Sequence, residues 1–260
     1  MTSQLDRAHQ NLLDTIHHRM KCAAGLWLEG EGWCIYDLGA GTSDSHLAGA
    51  SIDPDGDAAT LLQTLQNTPL QSRDKTAIRV HPQARAHAAP VLERAGFQCE
   101  EDAGYPIMSI DHPVVREVTH RVELIPLTSD GEQLVAQAEP VFRSGFTTLT
   151  PAETGKMLAR GVWTSDPHWR IGVARDESGR VVATGMLTRA PGSRTAGLYY
   201  IATDAQFRGR GYAKDLCTLL TNQAFEDGAD LVILQASTLG EFVYRHLGYV
   251  EIGRYFPYSR

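Results

Sequence analysis

Tyr199-Tyr200-Ile201-Ala202-Thr203-Asp204-Ala205-Gln206-Phe207-Arg208-Gly209-Arg210-Gly211-Tyr212-Ala213 decides how the rest of the sequence is read. Leu198 to Thr203 has the aromatic and apolar content of a strand. Gly209 and Gly211 punctuate the chain, and Ala213, Leu216, Cys217, Leu220 and Ala224 then recur at helical spacing. A helix start offers several unpaired N–H groups and the positive end of its dipole, so an anion such as phosphate can dock there. Glycines let the backbone curl around that anion, and Arg208, Arg210 and Lys214 add positive charge. The dipole contributes only ~0.3–1 kcal/mol at an exposed helix end, so several amides and the arginines must act together. The stretch is neither a Walker A loop nor a complete GxGxxG fingerprint. On these residues alone, a phosphate cradle and a solvated turn both remain open.

Working outward, Trp169 to Ala174 and Val181 to Leu187 form two hairpin-like strands joined by Asp176-Glu177-Ser178-Gly179. Upstream, Thr128-Ser129-Asp130 offers caps for a helix carrying Leu134, Val135, Ala138, Val141 and Phe142, and Val118 to Ile125 suggests a strand. Downstream, Leu231 to Leu234 is a short apolar run expected of a strand buried on both faces. Leu239, Phe242, Val243 and Leu247 then mark the apolar stripe of a short helix closed by Gly248, with Tyr244 off that stripe. A final strand or two run through Tyr249 to Tyr258. The best seam is Asp111-His112-Pro113, after a strand at Tyr105 to Ile110, and it divides the chain into residues 1–112 and 113–260. Leu5, Ala8, Leu12, Ile16 and Met20 predict a helix at the start of the first segment. Val91-Leu92-Glu93-Arg94-Ala95-Gly96-Phe97 echoes Val243-Tyr244-Arg245-His246-Leu247-Gly248-Tyr249, each after a strand, Thr76 to Val80 or Leu231 to Gln235.

Composition bounds the function. The 260 residues are 42% hydrophobic with net charge −7, the balance of a globular protein without a nucleic-acid-binding footprint. No apolar run approaches the ~20 residues that span a bilayer, and Asp6 interrupts any signal-like start, so a cytoplasmic protein away from membranes is expected. Cys22, Cys34, Cys99 and Cys217 form no CxxC pair. His17-His18, His81 and His87 fit no HExxH pattern, and no metal is expected. No G-x-S-x-G elbow supports a serine hydrolase.

The segment Arg208-Gly209-Arg210-Gly211-Tyr212-Ala213 matches the R/Q-x-x-G-x-G/A signature of the GNAT superfamily of N-acetyltransferases, and Val243 to Tyr249 resembles that family's l-Y-x-x-l-G-F/Y segment. The resemblance spans roughly residues 117 to 260. It implies an α/β (α+β) fold, a mixed β-sheet flanked by helices. It implies acetyl-CoA as cosubstrate, its pyrophosphate on the amides of Arg208, Gly209, Arg210, Gly211, Tyr212 and Ala213. The strand through Ile201, Ala202 and Thr203 would pair with the pantetheine arm, and an N–H near Ile201 would polarise the thioester carbonyl. Tyr244 takes the place of the general acid for the leaving thiolate, and Ser237 stands where the family often has an asparagine touching the pantetheine. The first segment resembles the end of such a domain without its working parts: Ser51 to Asp57 brings three aspartates to the phosphate turn, and Leu92 stands at the position of Tyr244. The reading is thus two tandem GNAT-like domains, the N-terminal one degenerate.

An amine acceptor must lose a proton before attack, and Glu139, His168 and Glu241 are candidate bases, none singled out. The loop Phe142 to Thr150 falls where acceptor specificity is set in the family, and Arg143 could pair with an acceptor carboxylate. Acetyl transfer to the primary amine of a small molecule is the expectation, with a protein N-terminus as another possible acceptor and the oligomeric state open. A non-catalytic acyl-CoA-binding module and an enzyme using a longer acyl-CoA are the alternatives.

Overall fold

Leu5, Ala8, Leu12, Ile16 and Met20 do share one helix face. Helix α1 (Gln4–Cys22) opens with a capping box in which the Ser3 hydroxyl accepts from the Asp6 N–H and Asp6 reaches back to Ser3. The computed structural model describes residues 2–39, 47–73, 75–100, 104–125, 129–146, 150–158 and 169–260. After α1 come β1 (Leu26–Gly30), β2 (Trp33–Asp37), β3 (Ala48–Ile52), α2 (Ala58–Leu65), β4 (Ala77–Val80), α3 (Arg85–Arg94), β5 (Gln98–Cys99) and β6 (Tyr105–Ile110). The second segment adds β7 (Arg121–Leu124), α4 (Ser129–Gly145), α5 (Pro151–Met157), β8 (Arg170–Arg175), β9 (Val181–Arg189) and β10 (Thr195–Thr203). Helix α6 (Tyr212–Glu226), β11 (Leu231–Gln235), α7 (Thr238–His246) and β12 (Val250–Ser259) complete it.

The strands form one mixed sheet in the order β1-β2-β3-β4-β12-β6-β11-β10-β9-β8-β7, with β5 also on β12. The pairings are antiparallel except β3 with β4 and β10 with β11. Helices α1 and α4 cover one face, where Ile16 and Phe142 share a core with Ile171, Met186 and Tyr199. Helices α6 and α7 cover the other, where Leu216, Leu220 and Tyr244 pack with Met108, Val182 and Leu198. A third core joins α2 and α3 to β2, β3 and β4 through Ile35, Leu61, Ile78 and Leu92. The result is a mixed sheet flanked by helices, the architecture that the resemblance implies.

Strands from the two sides of the Asp111-His112-Pro113 seam interleave. Strand β6, just before the seam, lies between β11 and β12, pairing through Ile107–Ile110 with Val232–Gln235 and through Tyr105–Ser109 with the first half of β12. The second half of β12, Phe256–Ser259, pairs with Ala77–Val80 of β4. The repeated heptad also has a structural counterpart: α3 and α7 both end at a left-handed glycine, Gly96 (φ +87°) and Gly248 (φ +95°), followed by buried Phe97 and Tyr249.

The expected strand from Val118 to Ile125 is shorter, only Arg121–Leu124. The Thr119 and His120 N–H groups and the Arg116 side chain are instead tied to Asp215, and an N–H that bonds to a carboxylate is not given to a ladder. The cap expected at Thr128 lies outside the described residues.

Helix α1 has a second buried stripe, and this one is polar. Arg7, Asn11, Thr15 and Arg19 recur every fourth residue and fasten the helix along β9 and β10. Arg7 Nε donates to Thr195 Oγ1 at 2.9 Å, Asn11 Nδ2 to the Thr195 carbonyl at 3.1 Å, and the Tyr199 hydroxyl to Asn11 Oδ1 at 2.8 Å. Thr15 and Thr188 share a hydroxyl bond of 2.9 Å, and Arg19 Nη1 donates to the Tyr200 hydroxyl at 2.8 Å. Gly197 permits this approach, because a Cβ there would stand 2.3 Å from Asn11 Oδ1.

Candidate functional site

Strands β10 and β11 are parallel partners only from Thr195 to Gly197. Beyond that point they part, and the edge of β10 facing β11 is left without a strand partner. A β-bulge between Tyr199 and Ala202 sharpens the turn away. Tyr200 carries it with φ +54°, a costly conformation for a bulky residue. The bulge breaks the alternation of side chains, so both Tyr199 and Tyr200 face the α1–α4 core, while Leu198 and Ile201 face α6. In the gap is a cavity of about 260 Å³. Its walls are Leu12, Thr15, Ile16 and Arg19 of α1, residues 198–201 of β10, Gln235 to Ser237 after β11, and Tyr105, Phe146 and Tyr244.

The glycine turn lies at the far end of β10. Gly209 (φ +75°) and Gly211 (φ +93°) are both left-handed, and Gly211 is the N-cap of α6 with no side chain to cap it. The N–H groups from Gly209 to Lys214 find no hydrogen-bond partner among the described residues. The turn thus offers a cluster of exposed donors at a helix start, which can receive an anion. The arginines contribute unequally. Arg208 Nε donates to the Thr203 carbonyl at 3.1 Å and its Nη2 to the Ser144 carbonyl at 3.3 Å, so this guanidinium braces the strand end against α4. Arg210 is exposed and lies over the Phe207 ring at 5.2 Å. Tyr212 is buried against His120 and Phe207, so only its backbone faces the turn.

Sequence reasoning missed what holds this turn in place. Asp215, fully buried in the first turn of α6, accepts from Arg116, from the Thr119 N–H and hydroxyl (both 3.0 Å), and from His120 N and Nδ1 at 2.8 and 2.7 Å. Burial alone would push its carboxyl up, but the bonds from Arg116, His120 and Thr119 outweigh it and hold it well below the ordinary 3.8. The acid group in a first helical turn beside a glycine turn was the available signal. Asp215→Ala is expected to cost about 2–3 kcal/mol, below the value for a fully buried pair because Arg116 and His120 are part-exposed. The folded carboxyl titrates below the unfolded one, so the contribution is complete above the ordinary 3.8 and fades as pH falls toward the depressed value. Urea titrations should therefore show the wild-type advantage over Asp215→Ala shrinking as pH drops from about 5 to 3.

At Ser51 to Asp57, which the sequence reading set against this turn, a helix start is capped by the protein's own carboxylate. Asp57, N-cap of α2, accepts from the Ala59 N–H at 2.9 Å and the Thr60 hydroxyl, and these bonds lower its pKa. Asp53 is bound by His9 Nε2 at 2.7 Å, and Leu92 is fully buried in the α2–α3 core.

Tyr244 overturns the expected stripe of α7. Leu239 and Phe242 are 82% and 70% exposed, whereas Tyr244 and Leu247 are 7% and 5% exposed. The helix docks through Gly240, Tyr244 and Leu247 because it lies at the rim where β10 and β11 part, and only that face meets the sheet. A Cβ at Gly240 would stand 3.0 Å from the Tyr244 ring. Among the described residues the Tyr244 hydroxyl has no hydrogen-bond partner, and the ring lines the cavity. Ser237 lines it too, but its hydroxyl also accepts from the Gly240 N–H at 3.2 Å as the N-cap of α7.

The candidate bases are not brought together. Glu139 pairs with Arg143 at 2.6 Å and Glu241 with Arg245 at 2.7 Å, none of the four lines the cavity, and His168 lies outside the described residues. Among the described residues no group of three or more His, Cys, Asp or Glu could hold a metal ion, and no helix is long and apolar enough to cross a membrane.

Comparison with known proteins agrees with this geometry. Residues 133–249 match the profile of the Acetyltransferase (GNAT) family. No curated protein matches the chain significantly. Among solved structures, a GCN5-related N-acetyltransferase from Kribbella flavida is similar with a TM-score of 0.64 and 16% identity, over 94% of this chain and 93% of that one. A putative GNAT acetyltransferase from Novosphingobium aromaticivorans gives 0.57 and 17%, over 95% and 97%. A GCN5-related N-acetyltransferase from Sphaerobacter thermophilus gives 0.57 and 16%, over 90% and 82%. At such identities the structures speak for the fold alone. Residues 133–249, the stretch that matches the family's profile, hold the parted strands, the glycine turn and Tyr244.

Proposed function

We propose that the protein transfers an acetyl group from acetyl-CoA to the primary amine of a small molecule, by direct attack in a ternary complex. The observation that carries this reading is the conjunction of a cavity between β10 and β11, with Tyr244 in its wall, and the unpartnered N–H groups of the glycine turn that follows β10. The amides of residues 208–213 hold the pyrophosphate, with Arg210 adding charge and Arg208 bracing the turn from behind. The free edge of β10 through Ile201, Ala202 and Thr203 pairs with the pantetheine arm, with Ser237 on the opposite wall. An N–H near Ile201 polarises the thioester carbonyl as the amine attacks its carbon. The C–S bond of the tetrahedral intermediate then breaks, Tyr244 gives its proton to the departing sulfur, and the proton lost by the attacking nitrogen passes to solvent, which reprotonates Tyr244.

The first segment is read as a second GNAT-like unit that has lost cosubstrate binding, supported by the repeated helix–glycine–aromatic element and by Asp57 in the anion position. Calorimetric titration of acetyl-CoA into the protein, followed by an amine panel with thiol release as readout, tests the whole reading. One site per chain with thiol release is expected. Two equal sites would overturn the degenerate first unit, and no binding would overturn the cosubstrate. Tight binding with no thiol release from any amine would turn the reading to an acyl-CoA-binding module. A longer acyl-CoA outcompeting acetyl-CoA as donor would replace the acetyl group.

A further inference from the structure

An imidazole stands against the glycine turn. The His120 ring lies 4.0 Å from that of Tyr212, and a Cβ on Gly211 would meet its Cε1 at 3.4 Å. The ring is thus in contact with the backbone whose N–H groups lack partners among the described residues. Its Nδ1 is 2.7 Å from Asp215 Oδ2, and its main-chain N–H is 2.8 Å from the same oxygen. The side chain is part-exposed, and among the described residues Nε2 has no hydrogen-bond partner.

The Asp215 bond fixes what this ring can do. Asp215 stays ionised at neutral pH, and a carboxylate only accepts, so Nδ1 keeps its hydrogen in either charge state. Nε2 is then the nitrogen that gains or loses a proton. Arg116 already supplies the Asp215 carboxylate with one positive charge. Among the described residues no second carboxylate bonds to the ring. Its other ionisable neighbours are the Tyr212 phenol from α6, Glu117 and Arg121 along its own segment, and Arg210 and Lys214 on the turn. A positive charge on His120 therefore gains its own counter-charge only when an anion enters the turn. We propose that His120 belongs to the cosubstrate site: its imidazole takes up a proton as the pyrophosphate enters the turn and lends it one positive charge. The proton comes from solvent onto Nε2 and returns when the ligand leaves. The proposal rests on the acyl-transfer reading above, which puts a pyrophosphate there. Residue 120 lies outside both the signature at Arg208 to Ala213 and the stretch that matches the family's profile.

The test is calorimetry on the full chain near pH 7, in two sulfonate buffers of different ionisation enthalpy, so that the heats count protons. The 3′-phosphate of acetyl-CoA titrates in the same range, so acetyl-3′-dephospho-CoA, whose pyrophosphate stays ionised, is titrated in parallel. With the dephospho ligand, the wild type is expected to take up roughly 0.3 to 1 proton. His120→Gln keeps an N–H for Asp215 but takes no charge. It should lose this uptake, bind about 3- to 30-fold more weakly than wild type near pH 6, and approach wild type near pH 8. A thermal melt of the variant confirms that it is folded. Wild type that binds the dephospho ligand without taking up a proton overturns the proposal, with no variant needed. Uptake persisting in His120→Gln overturns it too, as does an affinity lowered equally at both pH values, the mark of a ring that only props the turn. Failure of the wild type to bind either ligand instead removes the acyl-transfer reading, and this proposal with it.

Discussion

Tyr244→Phe should lower kcat by about 10²- to 10⁴-fold, the range for losing a general acid, while changing acetyl-CoA affinity less than about threefold. The substitution removes one oxygen and leaves the ring, which fills the space beside Gly240 and meets Tyr249 edge-on at 6.0 Å. The fold therefore persists, and the loss falls on proton delivery to the leaving sulfur. Burial, then the neighbouring Cys217 and Tyr249, pushes the Tyr244 hydroxyl well above its ordinary value of 10. A raised pKa keeps the acid protonated on the alkaline side. The wild-type rate should then show no fall from loss of this proton between about pH 8 and 10, whereas an unshifted tyrosine would begin to lose it there. Steady-state kinetics over that range, with calorimetry on the variant, separates this role from packing: a packing residue would lower affinity and stability together and leave kcat nearly intact.

Gly211→Asp should weaken acetyl-CoA binding more than about 100-fold while moving stability by no more than about 1 kcal/mol. The change recreates at α6 what Asp57 does at α2, where a carboxylate accepts the first-turn N–H of Ala59. Aspartate tolerates the left-handed conformation of Gly211 better than most residues, and the cap it supplies offsets the backbone cost. A carboxylate about 4 Å from a phosphate oxygen, at an effective dielectric near 20, repels it by about 4 kcal/mol. Titration of acetyl-CoA against a thermal melt of the same sample reads both quantities. Unchanged affinity would remove the turn from cosubstrate binding.

The parts legible in the sequence are those that local spacing encodes. The glycine turn, the helix behind it and the helix–Gly248–Tyr249 ending follow from residues a few positions apart. The apolar stripe of α1 was equally plain, but its polar stripe was not, because Asn11, Thr15 and Arg19 look like solvent-facing residues until β9 and β10 supply their partners. The stripe of α7 was misassigned because hydrophobic spacing assumes a helix lying flat on a core, whereas α7 touches the sheet rim through Gly240, Tyr244 and Leu247. The bulge at Tyr200 and the anchoring of Arg116 to His120 by Asp215 depend on contacts far apart in sequence. So does the place of β6 between β11 and β12, since a strand's sequence specifies its pleat but not its neighbours.

That interleaving has a kinetic consequence. A ribosome delivers α1 and β4 long before β12, so β4 must wait with one edge bare until the far end of the chain emerges, and β6 must wait likewise for β11. The pairings that close the sheet are thus among the most distant in sequence, the kind that form slowly and leave aggregation-prone edges meanwhile. Cutting the gene at residue 112 would yield two products each missing a partner strand, and co-expressing them would restore the sheet only by bimolecular capture.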